Sequence, residues 1–282
     1  MSSFPLRSPP QRLQIVTLMC MRVDSASDLA LRAIHSTASS LSPGDAILLL
    51  IDGGYLDDPE PYRQAASPVP LLLRSSPEQR GLASGLNALL DEVLVDPRWQ
   101  LIARMDADDE SLPGRMEEQR GFLEAHPEVD ILGTACVEVN EKDCPIQIKR
   151  MPLGHAKIVR TLPRRNPLNH PTVMLRRRVF ASGLRYRTDV HRTEDYHLWI
   201  DAIKQGFIIA NLPQPLLNFR RDSTFFVRRG GFRQAWADMY VRLRAIRVLG
   251  LRSPVNIIWA GSAFMLRLLP GRVQTRFYDY LR

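Results

Sequence analysis

The sequence predicts an α/β protein, with a Rossmann-like and mostly parallel sheet flanked by helices and a basic helical extension at its C-terminal end. Three observations predict it. Between residues 13 and 139, short apolar runs alternate with helical stretches over short connections, as repeated β–α units do. Acidic residues follow directly on two of these runs, Asp52 after AILLLI and Asp106, Asp108 and Asp109 after LIARM. That places carboxylates where the strands of an open sheet end and ligands bind. Charge is also unevenly spread: residues 223–282 hold 11 arginines against two aspartates, whereas the whole 282-residue chain carries only +8.

The opening MSSFPLRSPPQR has no apolar core and carries three prolines, so residues 1–11 read as a short disordered lead rather than a signal peptide. Residues 13–21 and 46–51 read as buried strands with a helix over 27–40 between them, a βαβ unit. Residues 69–73 form a third short strand, 78–95 a helix and 99–105 a fourth strand. A helix over 115–125 starts from Leu112-Pro113-Gly114, and 129–139 is a further strand. No internal repeat or low-complexity tract interrupts the series. The expected organisation is a lead over 1–11, a body over 12–222 and a basic amphipathic tail over 223–282.

In the tail, residues 232–249 set Trp236, Met239, Tyr240, Leu243, Ile246 and Val248 among arginines, the pattern of a helix lying at an interface. Residues 255–269, bounded by Pro254 and Pro270, would reach only ~22 Å as a helix against a ~30 Å hydrocarbon core. Two readings stay open. The tail either rests on an anionic membrane surface, such as a bacterial inner leaflet, or packs on the body or a second copy.

Of the 38 basic residues 34 are arginine, a skew that reflects overall composition rather than a nucleic-acid code, so no nucleic-acid partner is expected. Cys20, Cys136 and Cys144 are odd in number and lie outside any metal-binding spacing, which suits a reducing cytosol. The expected location is cytoplasmic, peripheral at the inner face of the membrane. No Gly-x-Gly-x-x-Gly or Walker loop is present, which excludes the usual dinucleotide and P-loop sites.

The remaining signals are local. A strand that delivers Asp106, Asp108 and Asp109 to a loop can present them to a hard divalent cation and its phosphate, though the same residues also suit a turn that caps the next helix. Asp52-Gly53-Gly54 is a ligand-edge carboxylate or an ordinary Asp-Gly turn. Arg80 stands near a helix start, and Asn87 interrupts an apolar helical stretch, where a buried amide needs a polar partner. Glu194-Asp195 opens a helix, where acidic residues also cap. His170 is either a site residue or a satisfied structural histidine.

Taken together, LIDGG, RMDADDESLPGR, NPLNHPTVMLRR and HRTEDYHLW resemble family 2 glycosyltransferases of the GT-A fold, over about residues 12–221. The resemblance implies that Asp52 contacts the nucleotide base and that Arg80 and Asn87 border the nucleotide-sugar. Asp106 would serve ribose and metal, Asp108 would coordinate Mn²⁺ or Mg²⁺ directly, and Asp109 would support them. Asp195 becomes the general base, with Glu194 as the alternative. His170 faces diphosphate or acceptor, Tyr196 and Trp199 line the acceptor side, and Arg220 contacts phosphate. One departure stands out. Relatives often carry a His soon after the arginine corresponding to Arg220, and here the chain reads Arg220-Arg221-Asp222, which leaves Arg221 or Asp222 as substitutes for a third metal ligand. The processive Gln-x-x-Arg-Trp signature is also absent, so single-sugar addition is expected.

The implied activity is inverting transfer from a nucleotide-diphosphate sugar, UDP-linked, to a glycan or lipid-linked acceptor in cell-surface polysaccharide synthesis. Two alternatives from other classes are a metal-dependent nucleotidyltransferase, which has no need of Glu194-Asp195, and a catalytically inactive, membrane-recruited nucleotide-binding scaffold.

Overall fold

Isoleucine- and leucine-rich runs, interrupted by charge only in their second halves, make the central strands, and burial on both faces follows from helices covering each side. The computed structural model describes residues 12–25, 28–221 and 231–268. The expected lead, Asp222 and the two ends of the tail lie outside the described residues. The elements are β1 (Gln14–Arg22), α1 (Asp28–Ala38), β2 (Ala46–Asp52), α2 (Glu60–Ala66), β3 (Leu71–Ser76), α3 (Leu82–Val93), β4 (Trp99–Asp106) and β5 (Glu110–Ser111). Then come α4 (Arg115–Ala125), β6 (Ile131–Val139), β7 (Pro145–Lys149), α5 (His155–Thr161), β8 (Met174–Arg176), α6 (Arg177–Ala181), α7 (Glu194–Lys204) and β9 (Ile209–Arg220). Two further helices follow, α8 (Phe232–Val248) and α9 (Pro254–Leu268).

The sheet runs β3-β2-β1-β4-β8-β6-β9-β5, with β7 paired to β6. Its first half is wholly parallel, as the β–α alternation requires. The second half is mixed: β8 runs antiparallel between β4 and β6, while β6 and β9 are parallel. The third strand begins at Leu71, two residues later than the apolar run, because Val69 and Pro70 complete the turn after α2. The helix expected from residue 78 begins at Leu82, since Gly81 at φ +81° cannot continue a right-handed helix backward. At Gly85 a Cβ would stand 2.8 Å from Leu50 Cδ2, so glycine lets α3 lie close on the sheet.

The largest core cluster joins Leu18, Leu48, Leu86, Ile102, Tyr196 and Trp199 with Val241 and Ala245 of α8. The C-terminal helix pair therefore packs on the body. Its buried face carries Gln234, Asp238 and Arg242, and its outer face exposes Phe232, Trp236, Tyr240 and Leu243. Among the described residues no helix is long and apolar enough to cross a membrane.

Candidate active site

Two acidic residues reach one edge of the sheet because β1 separates their strands. Arg22 lies in register with Asp52, and Cys20 with Asp106, so β2 and β4 end on the same crevice, where the strand order reverses. Past β4 the chain turns sharply into β5. Asp106, Asp108 and Asp109 each bring an oxygen within 4.8 Å of the others. Asp109 is buried; its Oδ1 accepts the Arg220 N–H at 2.9 Å, while Oδ2 is enclosed without a hydrogen-bond partner. Burial, then the charges of Asp106 and Asp108, push the Asp109 pKa well above the usual carboxylate range. Three crowded carboxyl groups, one with an orphaned buried oxygen, fit a hard divalent cation such as Mg²⁺ or Mn²⁺, whose charge would relieve their repulsion.

Arg104 is a site residue that nothing in the sequence motifs singled out. It shares a strand face with Asp106, two positions on, is only 2 % exposed and forms an ion pair with that carboxylate. Burial weighs against its charge, but Asp106 outweighs this and holds the guanidinium pKa above its ordinary value. An arginine interrupting an apolar strand was the available signal. Beneath it, the fully buried Arg115 of α4 donates to the Arg104 and Pro171 carbonyls, each at 2.8 Å, and Gln119 donates to the Thr172 and Leu132 carbonyls at 2.9 and 3.1 Å. This staple fixes β4 against the His170-Pro171-Thr172 turn.

The residues expected at the nucleotide divide into two sets. Asp52 accepts the backbone N–H groups of Arg80 and Gly81 at 2.8 and 2.9 Å, so it holds the entry to α3. Asn87 exchanges two hydrogen bonds with the backbone of Tyr186, at 2.8 and 2.9 Å, which supplies the polar partner its position demanded. Arg80 is exposed. These three do not line the cavity that holds the acidic cluster. Arg220 does, with its Nε–H donating to the Asp108 carbonyl at 3.2 Å and its guanidinium paired with Asp143. Arg221 is not placed as a substitute metal ligand: its guanidinium pairs with buried Glu138 at 2.7 Å.

That cavity, of about 810 Å³, also takes in His170, Glu194, Asp195 and Tyr196. His170 Nε2 lies 3.0 Å from the Tyr186 hydroxyl, and burial, helped by Arg104, lowers its pKa well below the usual imidazole value. Glu194 is pushed up to about 7 by burial, then by Asp195. Asp195 accepts from Asn166 Nδ2 at 2.6 Å and from the Tyr196 N–H at 2.7 Å. The Tyr196 hydroxyl is tied to the Leu162 carbonyl. Trp199, expected on the acceptor side, is fully enclosed in the core behind His170, its helix face turned inward. The far wall comes from α8 and α9, through Gln234, Asp238, Arg242, Trp259 and Arg267, none of which was singled out in the sequence.

Residues 20–185 match the profile of glycosyl transferase family 2. The amylovoran biosynthesis glycosyltransferase AmsE of Erwinia amylovora is 30% identical over 239 residues, 83% of this chain and 86% of that protein. The UDP-Gal:alpha-D-GlcNAc-diphosphoundecaprenol beta-1,3-galactosyltransferase of Escherichia coli is 29% identical over 207 residues, 71% of this chain and 70% of its own length. Among solved structures, S. aureus TarS 1–349 in complex with UDP superposes with a TM-score of 0.58 at 15% identity, over 93% of this chain and 82% of that one. The chain spans half of the longer TarS chain. The mannosyltransferase PcManGT of Pyrobaculum calidifontis, in complex with GDP-Man and Mn²⁺, superposes with a TM-score of 0.58 at 16% identity, over 96% of this chain and 81% of that one.

Proposed function

Because this chain belongs to glycosyltransferase family 2, we propose that it moves a single sugar, with inversion, from a UDP-linked donor to a glycan or lipid-linked acceptor in cell-surface polysaccharide assembly. Its sheet has the GT-A fold. One observation carries the reading: a single cavity is lined by Asp106 and Asp108 of the acidic cluster and by the Glu194-Asp195 pair. The UDP bound to TarS, the UDP-Gal and diphosphoundecaprenol in the name of the E. coli relative, and the Mn²⁺ bound to PcManGT support the choice of donor, acceptor and cation.

Asp106 and Asp108 would hold a Mn²⁺ or Mg²⁺ ion, with Asp109 behind them. When bound, such a cation supplies charge to stabilise the departing diphosphate. Arg104 fixes the Asp106 carboxylate in place. Asp195, oriented by the Asn166 amide, takes the proton of the acceptor hydroxyl as its oxygen attacks the anomeric carbon from the face opposite the leaving group, which inverts that carbon. Asp52, through the start of α3, shapes the nucleotide edge. His170, held neutral by burial, contributes hydrogen bonding without adding charge beside Arg104.

The exposed apolar residues of α8 and α9, including Phe232, Trp236, Ile257, Ile258 and Met265, with arginines between them, support peripheral attachment at an anionic inner leaflet. The deciding experiment measures binding and turnover of a panel of nucleotide sugars with and without Mn²⁺, in wild type and Asp108→Ala. Metal-dependent binding of one UDP-sugar, lost in the variant, is the expected result. Folded protein that binds no nucleotide sugar with metal present would overturn the donor assignment and favour the scaffold.

A further inference from the structure

The segment 166–172 is tied to both chemical stations of the cavity. At one end the Asn166 amide donates to Asp195 at 2.6 Å. At the other, the Pro171 and Thr172 carbonyls accept from Arg115 and Gln119, and Arg115 also holds the Arg104 carbonyl of β4, the strand that ends in Asp106. A sugar joined to a diphosphate at the acidic cluster, and attacked by an oxygen that Asp195 deprotonates, has to lie between these stations. Side chains that flank this span are the ones placed to read it.

Two of them carry an oxygen that the fold leaves unused. Asn169 and Thr193 both line the cavity, are 3 % and 4 % exposed, and have enclosed side-chain oxygens, Oδ1 and Oγ1, with no hydrogen-bond partner among the described residues. Asn169 is held in place: its Nδ2 donates to the Thr134 carbonyl at 3.1 Å and its own carbonyl accepts from the Thr172 hydroxyl at 2.8 Å, which leaves Oδ1 as a fixed acceptor. Thr193 precedes Glu194 at the N-cap of α7, and its carbonyl accepts the His197 N–H at 3.0 Å. A threonine there ordinarily turns its hydroxyl onto a first-turn amide, yet Thr193 makes no such bond. Arg192, just before it, has φ +52°, a region disfavoured for a residue with a Cβ. The start of α7 therefore forgoes a cap and carries strain while keeping a hydroxyl beside the reacting pair. A buried polar atom without a partner is costly, and two of them at one cavity mark where a ligand completes it. Ionised phosphate brings only acceptors and cannot satisfy Asn169 Oδ1, whereas a sugar hydroxyl donates to it and can equally pair with the Thr193 hydroxyl.

We propose that Asn169 and Thr193 are specificity-determining residues that hydrogen-bond hydroxyls of the transferred sugar. This rests on the transferase reading and deepens it: the donor is selected by the hydroxyl pattern of its sugar as well as by its nucleotide. A site built to bond a hydroxyl rejects the analogue that lacks or misdirects it, because the buried oxygen is then left unpaired. Removing the Thr193 hydroxyl acts oppositely on the free protein, since an apolar side chain of the same shape relieves an unpaired polar group instead of breaking a bond.

The test uses the full chain with Mn²⁺ and no acceptor, so that only a donor can occupy the cavity. UDP, UDP-glucose, UDP-galactose, UDP-N-acetylglucosamine and UDP-N-acetylgalactosamine are titrated by calorimetry into wild type, Thr193→Val and Thr193→Ser, and each protein is melted without ligand. In wild type one sugar nucleotide should bind at least about tenfold tighter than UDP and than at least one of the other sugars. Thr193→Val should lose most of that margin, bind UDP as wild type does, and melt at the same temperature or higher. Thr193→Ser keeps a hydroxyl and should keep the preference. Asn169→Ala should lose it as well, with a lower melting temperature because the bond to Thr134 goes too. Retention of the full preference in Thr193→Val would overturn the subsite and leave the donor assignment standing, the pattern expected if these oxygens face an acceptor sugar instead. Wild type that binds every sugar no tighter than UDP would also overturn it. So would a lower melting temperature in Thr193→Val with equal weakening for UDP and all four sugars, since the hydroxyl would then only support the fold. If wild type binds neither UDP nor any of the sugars, the donor assignment falls and the subsite falls with it.

Discussion

Asp108, Asp195 and Glu194 are all acidic, yet their surroundings give them separable signatures. Asp108→Ala removes an exposed carboxylate that no core packing depends on, so it should lower turnover about 10²–10³-fold with Tm unchanged, checked by steady-state kinetics and thermal melting. Asp195→Asn keeps the shape and the Asn166 neighbour but removes the base; transfer should fall about 10²–10⁴-fold while nucleotide-sugar binding persists. Glu194 gives a pH signature. Its pKa in the folded protein is raised from 4.5 to about 7, so between these values the folded state holds the proton more tightly than the unfolded chain. Stability from this group is therefore lost as pH rises through that window, and the cost is complete above about pH 7. Glu194→Gln should raise Tm by several degrees at about pH 8 and leave it nearly unchanged at about pH 4, and a pH-independent shift would count against the assignment. At this scale Asp106, Asp108, Glu194 and Asp195 were legible, because carboxylates at a strand end and a helix start stand out in one dimension. Arg104 and Asn166 were not: what matters about Arg104 is that it is buried and paired with Asp106, and about Asn166 that it meets Asp195, 29 residues on.

Among the elements, the strands of the parallel half, β6, helices α1, α3 and α4 and the two tail helices were readable, while β5, β7, β8 and β9 were not. Runs such as AILLLI have no competing interpretation once short turns bound them. By contrast β5 has two residues and β8 three, too short for any periodicity to register. β9 carries Pro213 and Pro215, which argue against an interior strand, and its register with β6 shifts in that stretch. The sheet admits them as an irregularity because β6 offers a long partner. Helix α4 shows how an element can serve the site from behind it. Arg115→Leu would strand the Arg104 and Pro171 carbonyls without a donor, and should cost about 3 kcal/mol, or roughly 10 °C in Tm by calorimetry, with activity falling in step. Nothing in the periodicity of α4 marks Arg115 as buried, because an arginine near a helix start is ordinarily solvated.

On the scale of the whole molecule, the C-terminal helices decide how the cavity closes. Their sequence reads as amphipathic, with two readings open: apolar residues at an anionic membrane surface, or packed on the body or a second copy. In the structure the helix buries Gln234, Asp238 and Arg242 with Ala235, Val241, Ala245 and Ile246 against the body, and leaves Phe232 and Trp236 outside. If that outer face meets a membrane, Phe232→Glu with Trp236→Glu should abolish co-sedimentation with anionic vesicles, and added salt should weaken the wild-type association. The melting temperature should stay within about 2 °C, because neither side chain is in the core. The sequence by itself determined the α/β class, the order of the first strands and the two acidic stations. These depend on local hydrophobic period and on residues a few positions apart. Only the tertiary structure decided that one cavity joins those stations, that Asp52 and Asn87 hold backbone while Arg104 meets Asp106, and that the last helices supply the far wall. Those relations depend on how the strands and loops come together in space or on which helix face turns inward, and a buried polar face is chosen by the partners waiting for it rather than by its own hydrophobicity.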